Sequence, residues 1–120
     1  MTREKLLGAF GEAAAAEYLR KKRYQILGMN YHCPQGELDV IAKQKDTVVF
    51  VEVKLRREGG FASAAEAVTL SKQRKLRLAA EAWLTENELD EVPCRFDVIE
   101  VYLERDGGKV KMISQMEDAF

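Results

Sequence analysis

Residues 48–51, Val-Val-Phe-Val, form the most apolar run of the chain and place the strongest limit on its fold. Side chains of a strand alternate between the two faces of a sheet, and this run has no polar residue on either face. A strand built from it must therefore be covered on both faces. Such a strand lies in the middle of a sheet that has helices on its two sides. The run therefore predicts an α/β domain with a central, buried strand over residues 47–53.

The pattern around this run predicts the element order αβββ-α-ββ and a mixed sheet of about five strands flanked by helices. Thr2 is the expected cap of a first helix that ends near Lys22, and Ser71 is the expected cap of a long helix that ends near Glu88. Apart from the central strand, strands are expected at 24–31, 38–42, 94–103 and 109–114, with a loop at 32–35 and a hairpin turn at 106–108. Residues 55–62 fit neither period, and 63–66 match a capping box that opens a short helical piece. The expected core includes Trp83, Cys94 and Phe96.

Length and composition fit one folded unit. The chain has 120 residues, of which 47% are hydrophobic and 32% charged, which predicts a single domain over residues 1–120. No apolar run approaches the roughly 20 residues of a membrane helix, and no secretory signal is recognisable. Cys33 and Cys94 stand far apart and are expected to be reduced thiols of a cytoplasmic protein. Because His32 is the only histidine, a histidine-based metal site or a Ser-His-Asp triad within this chain is not expected.

The formal net charge of −1 hides an uneven distribution. Residues 54–80 carry 7 basic and 2 acidic side chains, whereas residues 81–120 carry 4 basic and 11 acidic ones. A basic segment beside an acidic one is typical of a protein that meets an anion on one side, although a solvated helix face gives the same pattern. Charge alone therefore suggests nucleic acid as a partner without establishing it.

Two acidic residues of neighbouring strands are predicted to meet. If Lys45 and Asp46 form a two-residue loop, Asp39 lies opposite Glu52 in the resulting hairpin. The two-residue period then places Glu37, Asp39, Glu52 and Lys54 on one face of the sheet. Like charges directly opposite each other are unfavourable, and Glu52 follows the most apolar run, where an unpaired charge costs most.

This acidic pair requires a cation. Lys54 supplies one positive charge, and a salt bridge in an exposed strand would then explain the pattern. A divalent metal ion supplies two charges, and oxygen ligands without histidine or cysteine favour Mg²⁺ or Mn²⁺ over zinc. Both interpretations remain open at the level of residue chemistry.

The arrangement resembles the PD-(D/E)xK nuclease superfamily, in which an Asp at the end of one strand and a (D/E)xK motif on the next bind Mg²⁺ and position the attacking water. Asp39 occupies the first position of this motif, Glu52 the second and Lys54 the third. Leu38 stands where the motif name has Pro, and this departure affects no ligand. Many members add an acid from the first helix, and Glu12 occupies that place.

Across nearly the whole chain the sequence also resembles the small, uncharacterised bacterial YraN-like family, which is similar in fold and motif order to archaeal Holliday-junction resolvases. The segments that carry this resemblance are 11–12, 24–30, 36–39, 49–54, 67–68 with Lys72, and 94–99. It implies a restriction-endonuclease-like core and a metal-dependent endonuclease that acts on DNA, with branched DNA as the favoured substrate. The implied catalytic residues are Asp39, Glu52, Lys54 and Glu12; the implied metal ligands are Asp39, Glu52 and the carbonyl of Val53, and Glu37 is a further candidate acid.

The basic segment supplies candidate phosphate contacts both in the loop that precedes the long helix and in the first turns of that helix. They are Arg56 and Arg57 on a glycine-containing loop, and Lys72, Gln73, Arg74, Lys75 and Arg77 on the helix. A homodimer would suit symmetric cutting of two strands, and a protein partner that brings the DNA is a further expectation. The alternative function is a non-catalytic module that binds nucleic acid or protein and keeps the nuclease fold. An RNA-processing nuclease would use the same site.

Overall fold

The computed structural model describes residues 2–57, 68–105 and 108–120. Within these described residues, two helices and five strands follow one another in the order α1, β1, β2, β3, α2, β4, β5. The helices are α1 (Arg3–Lys21) and α2 (Leu70–Glu86). The strands are β1 (Gln25–Cys33), β2 (Gly36–Gln44), β3 (Thr47–Arg57), β4 (Cys94–Leu103) and β5 (Val110–Met116). This confirms the predicted αβββ-α-ββ order.

The five strands form one mixed sheet in the order β1-β2-β3-β4-β5. Strands β3 and β4 are parallel, and every other neighbouring pair is antiparallel. Strand β3 is central, as its apolar run predicts, because its alternating side chains enter two separate cores. Val49 and Val51 pack with Ala15 and Leu19 of α1, whereas Val48 and Phe50 pack with Leu76, Ala79 and Trp83 of α2. The sheet therefore has a helix on each side and is compatible with a restriction-endonuclease-like core.

Several predicted boundaries change; β2 and β5 run over Gly36–Gln44 and Val110–Met116, against the predicted 38–42 and 109–114. Strand β1 continues through His32 and Cys33, so the connection to β2 is Pro34 and Gln35 alone, two residues shorter than the predicted loop at 32–35. Strand β3 continues through residues 55–57 because β4 supplies a parallel partner for each of them. Helix α2 is capped by Thr69, whose hydroxyl accepts a hydrogen bond from the Lys72 amide, and not by Ser71. The capping box at 63–66, Phe61 and most of the turn at 106–108 lie outside the described residues.

The cap of α1 and the loop between β2 and β3 confirm two local predictions. The Thr2 hydroxyl accepts a hydrogen bond from the Lys5 amide at the start of α1. Gln44 pairs with Thr47, which leaves Lys45 and Asp46 as the two-residue loop, and Lys45 has a φ of 55°. A left-handed loop residue suits the twist of a two-residue hairpin. The register that follows pairs Val40 with Val51, one residue before the predicted Asp39 and Glu52 pair.

In both β1 and β2, the alternation of side chains between the two faces of the sheet is interrupted at the same level. Leu38 packs in the α2 core, whereas Val40, two residues later, packs in the α1 core. Residues two apart in a regular strand lie on the same face, so the alternation breaks at Asp39. On β1 the residue at the same level is Asn30, between the partners of Val40 and Leu38, and its φ is 55°. The kink in this hairpin turns Asp39 out of the regular pattern.

The carboxyl-terminal residues are fixed to β4. The Asp118 amide donates to the buried carboxylate of Asp97, and the Ala119 amide donates to the Phe96 carbonyl. The ring of Phe120 stacks on Phe96 at 5.1 Å between ring centroids. Trp83 and Phe96 are buried as predicted, but Cys94 is exposed because it begins β4 at the rim of the sheet. Cys33 and Cys94 are free thiols, and neither α1 nor α2 is long and apolar enough to cross a membrane.

Candidate functional site

Asp39 lies where β2 separates from β3. The backbone ladder between these strands ends at the Val40 and Val51 pair, and the next polar contact across the gap is made by a side chain. Oδ2 of Asp39 accepts a hydrogen bond of 2.8 Å from the Val53 amide. The carboxylate thus takes the place of a backbone acceptor of β2. This hydrogen bond fixes the Asp39 side chain beside the C-terminal half of β3. The kink brings Asp39 to β3 without placing it in the ladder.

Glu52 is buried on the α2 side of β3, with 6% of its side chain exposed. Its Oε1 atom contacts two ammonium groups, Nζ of Lys72 at 2.9 Å and Nζ of Lys54 at 3.3 Å. Lys54 lies two residues further along the same strand, whereas Lys72 comes from the first turn of α2. A buried carboxylate is costly unless it is paired, and these two lysines supply the pairing.

Glu12 reaches the same place from the other side of the sheet. Its side chain lies close to those of Asp39 and Asn30, and both of these neighbours lower its pKa. Helix α1 lies close to β3 at this level, since a Cβ atom on Gly11 would come within 3.3 Å of the Leu55 side chain. Burial raises the pKa of Glu12, and the charges of Glu37 and Glu52 act in the same direction. The helix acid that the resemblance implies therefore lies close enough to the strand acid for each to affect the pKa of the other.

The pKa of Asp39 is raised to about 7. The first cause is burial, and the charge of Glu52 is the second. The hydrogen bond from the Val53 amide and the charge of Lys72 oppose the shift without cancelling it. Asp39 is consequently a carboxyl group whose negative charge the surrounding protein compensates poorly.

Glu37 lies between two grooves and does not share a regular face with Glu52. It lines a groove of ≈ 360 Å³ on the α2 side, here called the acid groove, together with Asp39, Glu52, Ser71, Lys72 and Lys75. It also lines a groove on the α1 side with Lys5, Gly8, Glu12, Asn30 and His32. The prediction that four residues share one face is wrong in this respect, because the alternation breaks at Asp39. Nδ1 of His32 lies 3.1 Å from Glu37.

The donor set suits a hard divalent cation. Asp39 and Glu52 offer carboxylate oxygens close to the backbone of Val53, and hard cations such as Mg²⁺ and Mn²⁺ prefer oxygen ligands. The raised pKa of Asp39 marks a place where positive charge is deficient. Among residues 2–57, 68–105 and 108–120, however, no three histidine, cysteine, aspartate or glutamate side chains are arranged as a preformed metal cage. Glu52 is directed to its lysines instead.

The predicted phosphate contacts separate into two groups. Lys72 and Lys75 line the acid groove, and Arg74 is exposed on α2. Gln73 donates to the Val68 carbonyl, which fixes the chain before α2. The others are placed elsewhere. Arg56 forms an ion pair with buried Glu100, Arg57 is the last residue of β3, and the guanidinium of Arg77 lies 4.9 Å from the ring centroid of Phe96.

The structure adds two residues that the sequence pattern does not identify. Asn30 lies close to Glu12, and an asparagine within a strand is only a weak signal for the left-handed backbone that it adopts. Glu100 is buried next to Arg56, and its register partner on β3 is Lys54. Nothing in the sequence distinguishes Glu100 from other strand residues, because its partners come from a parallel strand that is distant in sequence.

Comparisons with known proteins agree on one family. The family described as "Uncharacterised protein family UPF0102" matches residues 11–101. A UPF0102 protein of Pelotomaculum thermopropionicum is 45% identical over 116 residues, which cover 97% of this chain and 96% of the relative. A UPF0102 protein of Acetivibrio thermocellus is 41% identical, with 94% and 89% covered, and one of Geobacter sulfurreducens is 44% identical, with 92% and 87% covered. The matched segment contains Glu12, Asp39, Glu52, Lys54 and Lys72.

Proposed function

The chain belongs to the uncharacterised protein family UPF0102, and we propose that it is a cytoplasmic, metal-dependent endonuclease that hydrolyses phosphodiester bonds of DNA. The observation that carries this proposal is that Asp39 and Glu52 line one groove at the point where β2 leaves β3, with Nζ of Lys54 3.3 Å from Glu52. Two strand acids and one lysine beside an open groove are the groups that phosphodiester hydrolysis requires.

Asp39, Glu52 and the backbone carbonyl of Val53 are the groups that would hold Mg²⁺ or Mn²⁺. When bound, such an ion neutralises charge that develops on a phosphate and lowers the pKa of water. Asp39 is prepared for this role by the Val53 amide, which fixes the orientation of its carboxylate. Glu12 lies near Asp39 on the α1 side and is proposed as a supporting acid.

Lys54 is the proposed electrostatic catalyst. Its ammonium lies 3.3 Å from Glu52 and has 18% of its side chain exposed, so it is oriented and largely shielded from water. A charged donor held in this way stabilises negative charge on a scissile phosphate more strongly than a mobile surface lysine, because water does not screen it. From the same position Lys54 would orient the water molecule that attacks the phosphate.

The acid groove is the proposed path of the DNA backbone. Lys72 and Lys75 line it on the α2 side, and ammonium groups of this kind contact phosphates without reading base sequence. Such contacts suit a nuclease that recognises the shape of its substrate, and the resemblance to resolvases favours branched DNA. A homodimer would place two such sites for symmetric cutting.

Cleavage assays test this function directly. Labelled four-way junction, flap, single-stranded and duplex DNA are incubated with Mg²⁺, Mn²⁺ or EDTA. We expect cleavage only with a divalent cation, and we expect Glu52→Ala and Lys54→Ala to reduce it to the EDTA background. Asp90→Asn, which removes an exposed acid far along the chain, is the matched control and is expected to cut like the wild type.

The result that would contradict the proposal is a folded protein that binds DNA and cuts none of these substrates with either cation. That outcome would favour a non-catalytic nucleic-acid-binding module with the same fold. Cleavage that persists in Glu52→Ala would place the active groups elsewhere. RNA substrates of the same shapes distinguish a ribonuclease.

A further inference from the structure

A single oxygen of Glu52 holds two lysines that arrive from different elements. Nζ of Lys72 and Nζ of Lys54 both contact Oε1. Lys54 is tied to Glu52 by its position two residues along β3, and 18% of its side chain is exposed. Lys72 reaches across from α2, and 41% of its side chain is exposed. The contact with Lys72 is shorter, but its side chain is the one that has more access to solvent.

The charges at this point favour an exchange of cations. Glu12, Asp39 and Glu52 bring three carboxyl groups together, and Lys54 and Lys72 bring two ammonium groups. A divalent cation held by Asp39 and Glu52 needs a free oxygen of Glu52 and adds two positive charges to the cluster. Repulsion between that ion and the nearest ammonium then favours departure of the more exposed lysine.

Resting on the function proposed above, we propose that Lys72 is an exchangeable cation that occupies Glu52 until a divalent ion displaces it. The displaced ammonium then becomes a phosphate ligand in the acid groove. This assigns Lys72 a role distinct from that of Lys54, which stays on β3. It also explains why Glu52 is directed to lysines and does not form a ready cage with Asp39.

The groove provides a place for the displaced side chain. Lys72 and Lys75 both line it, together with the exposed hydroxyl residue Ser71. Partial burial lowers the pKa of Lys72, but the hydrogen bond and the charge of Glu52 outweigh it, so the net shift is upward. The amine of Lys72 therefore carries its positive charge while it contacts Glu52.

Calorimetric titration with Mn²⁺ alone tests the exchange without measuring catalysis. We expect Lys72→Met to bind Mn²⁺ about fivefold more tightly than the wild type, because the ion no longer displaces a half-exposed ion pair. Lys75→Met removes the same charge from the same groove without freeing Glu52, and we expect its affinity to change by less than about twofold, as a screened interaction would. Lys72→Arg keeps a competing cation and is expected to bind as weakly as the wild type.

The two proposals fail in different ways in this experiment. Equal Mn²⁺ affinity of the wild type and Lys72→Met would overturn the exchange and leave the metal site standing. Tightening by Lys75→Met as large as that by Lys72→Met would also overturn it, because the effect would then be general electrostatics. If no variant and no wild-type protein binds Mn²⁺, both the metal site and the exchange are overturned.

Binding of four-way junction DNA supplies a second measurement. If the metal frees Lys72 to contact phosphate, metal and DNA must strengthen each other's binding through this residue, since such coupling is reciprocal. We expect Ca²⁺ to raise the DNA affinity of the wild type by a larger factor than that of Lys72→Met. Equal factors in the two proteins would show that the displaced ammonium does not reach the DNA.

Discussion

Asp39→Asn is expected to raise the free energy of unfolding by about 2 kcal/mol at pH 8 in EDTA, and to change it little at pH 4. The pKa of Asp39 is raised from 3.8 to about 7, first by burial and then by the charge of Glu52. Between these two values the folded protein keeps a proton that the unfolded chain has lost. The free energy of unfolding of the wild type therefore falls as the pH rises through this window.

Asparagine removes the charge and keeps an oxygen that accepts from the Val53 amide. Urea denaturation at pH 4 and pH 8 measures the effect, and Asp90→Asn controls for the loss of one exposed acid. The rise in the pKa of Asp39 sets an upper limit of roughly 4 kcal/mol on the gain, which movement of nearby side chains and entry of water reduce. An Asp39→Asn protein that is less stable than the wild type at pH 8 would contradict this electrostatic description of the site.

Asp97→Ala is expected to lower the free energy of unfolding by about 3–5 kcal/mol, a large part of what a domain of this size has. The Asp97 side chain is fully buried. Its oxygens accept from Nε of Arg95 at 3.0 Å, Nε2 of Gln115 at 2.9 Å and the Asp118 amide at 3.0 Å. Removing the carboxylate leaves the charge of Arg95 and two other donors without their acceptor.

Double-mutant cycles separate the buried pair from general damage at this position. Urea denaturation of Asp97→Asn, Arg95→Met and the combined variant is expected to give a coupling energy above about 1.5 kcal/mol, because Arg95 donates to both carboxylate oxygens of Asp97 and either single change breaks this charged, buried contact. Asp46→Ala, in the exposed loop between β2 and β3, is the control and is expected to stay within about 0.5 kcal/mol of the wild type. Additive losses would mean that Asp97 and Arg95 act independently.

Much of the sheet follows from the sequence because β3 is so restrictive. Residues 48–51 require cover on both faces, and the two-residue loop at Lys45 and Asp46 fixes the pairing of β2 with β3. These are local signals, since a hairpin register is set by the turn and the period of its strands. The prediction that Asp39 and Glu52 meet depends only on them.

The kink at Asp39 is not predictable from periodicity. It depends on Asn30 of the neighbouring strand, whose left-handed backbone lets β1 change face together with β2. A prediction from the residues of one β-strand assumes regular alternation and therefore places Glu37 on the same face of the sheet as Glu52. Similarly, residues 55–57 have no period of their own and are strand only because β4 pairs with them.

Long-range contacts place the basic residues in ways that charge patterning does not reveal. Charge patterning assigns Arg56 and Arg77 to DNA, but Arg56 contacts Glu100 and Arg77 lies over Phe96 and Phe120. It also assigns Lys72 to DNA without revealing that Lys72 holds Glu52. Such partners are brought together by packing of α2 and β4 against β3, and a linear pattern of charges carries no information on that packing.

The most direct test of the site is the position of Mn²⁺ in crystals of the wild-type protein soaked in a manganese salt, located by its anomalous scattering. We expect a peak about 2 Å from carboxylate oxygens of both Asp39 and Glu52, with Nζ of Lys72 moved away from Glu52. A map with no peak at these two residues under saturating Mn²⁺, in which Lys72 still contacts Oε1 of Glu52, would contradict the proposed metal site.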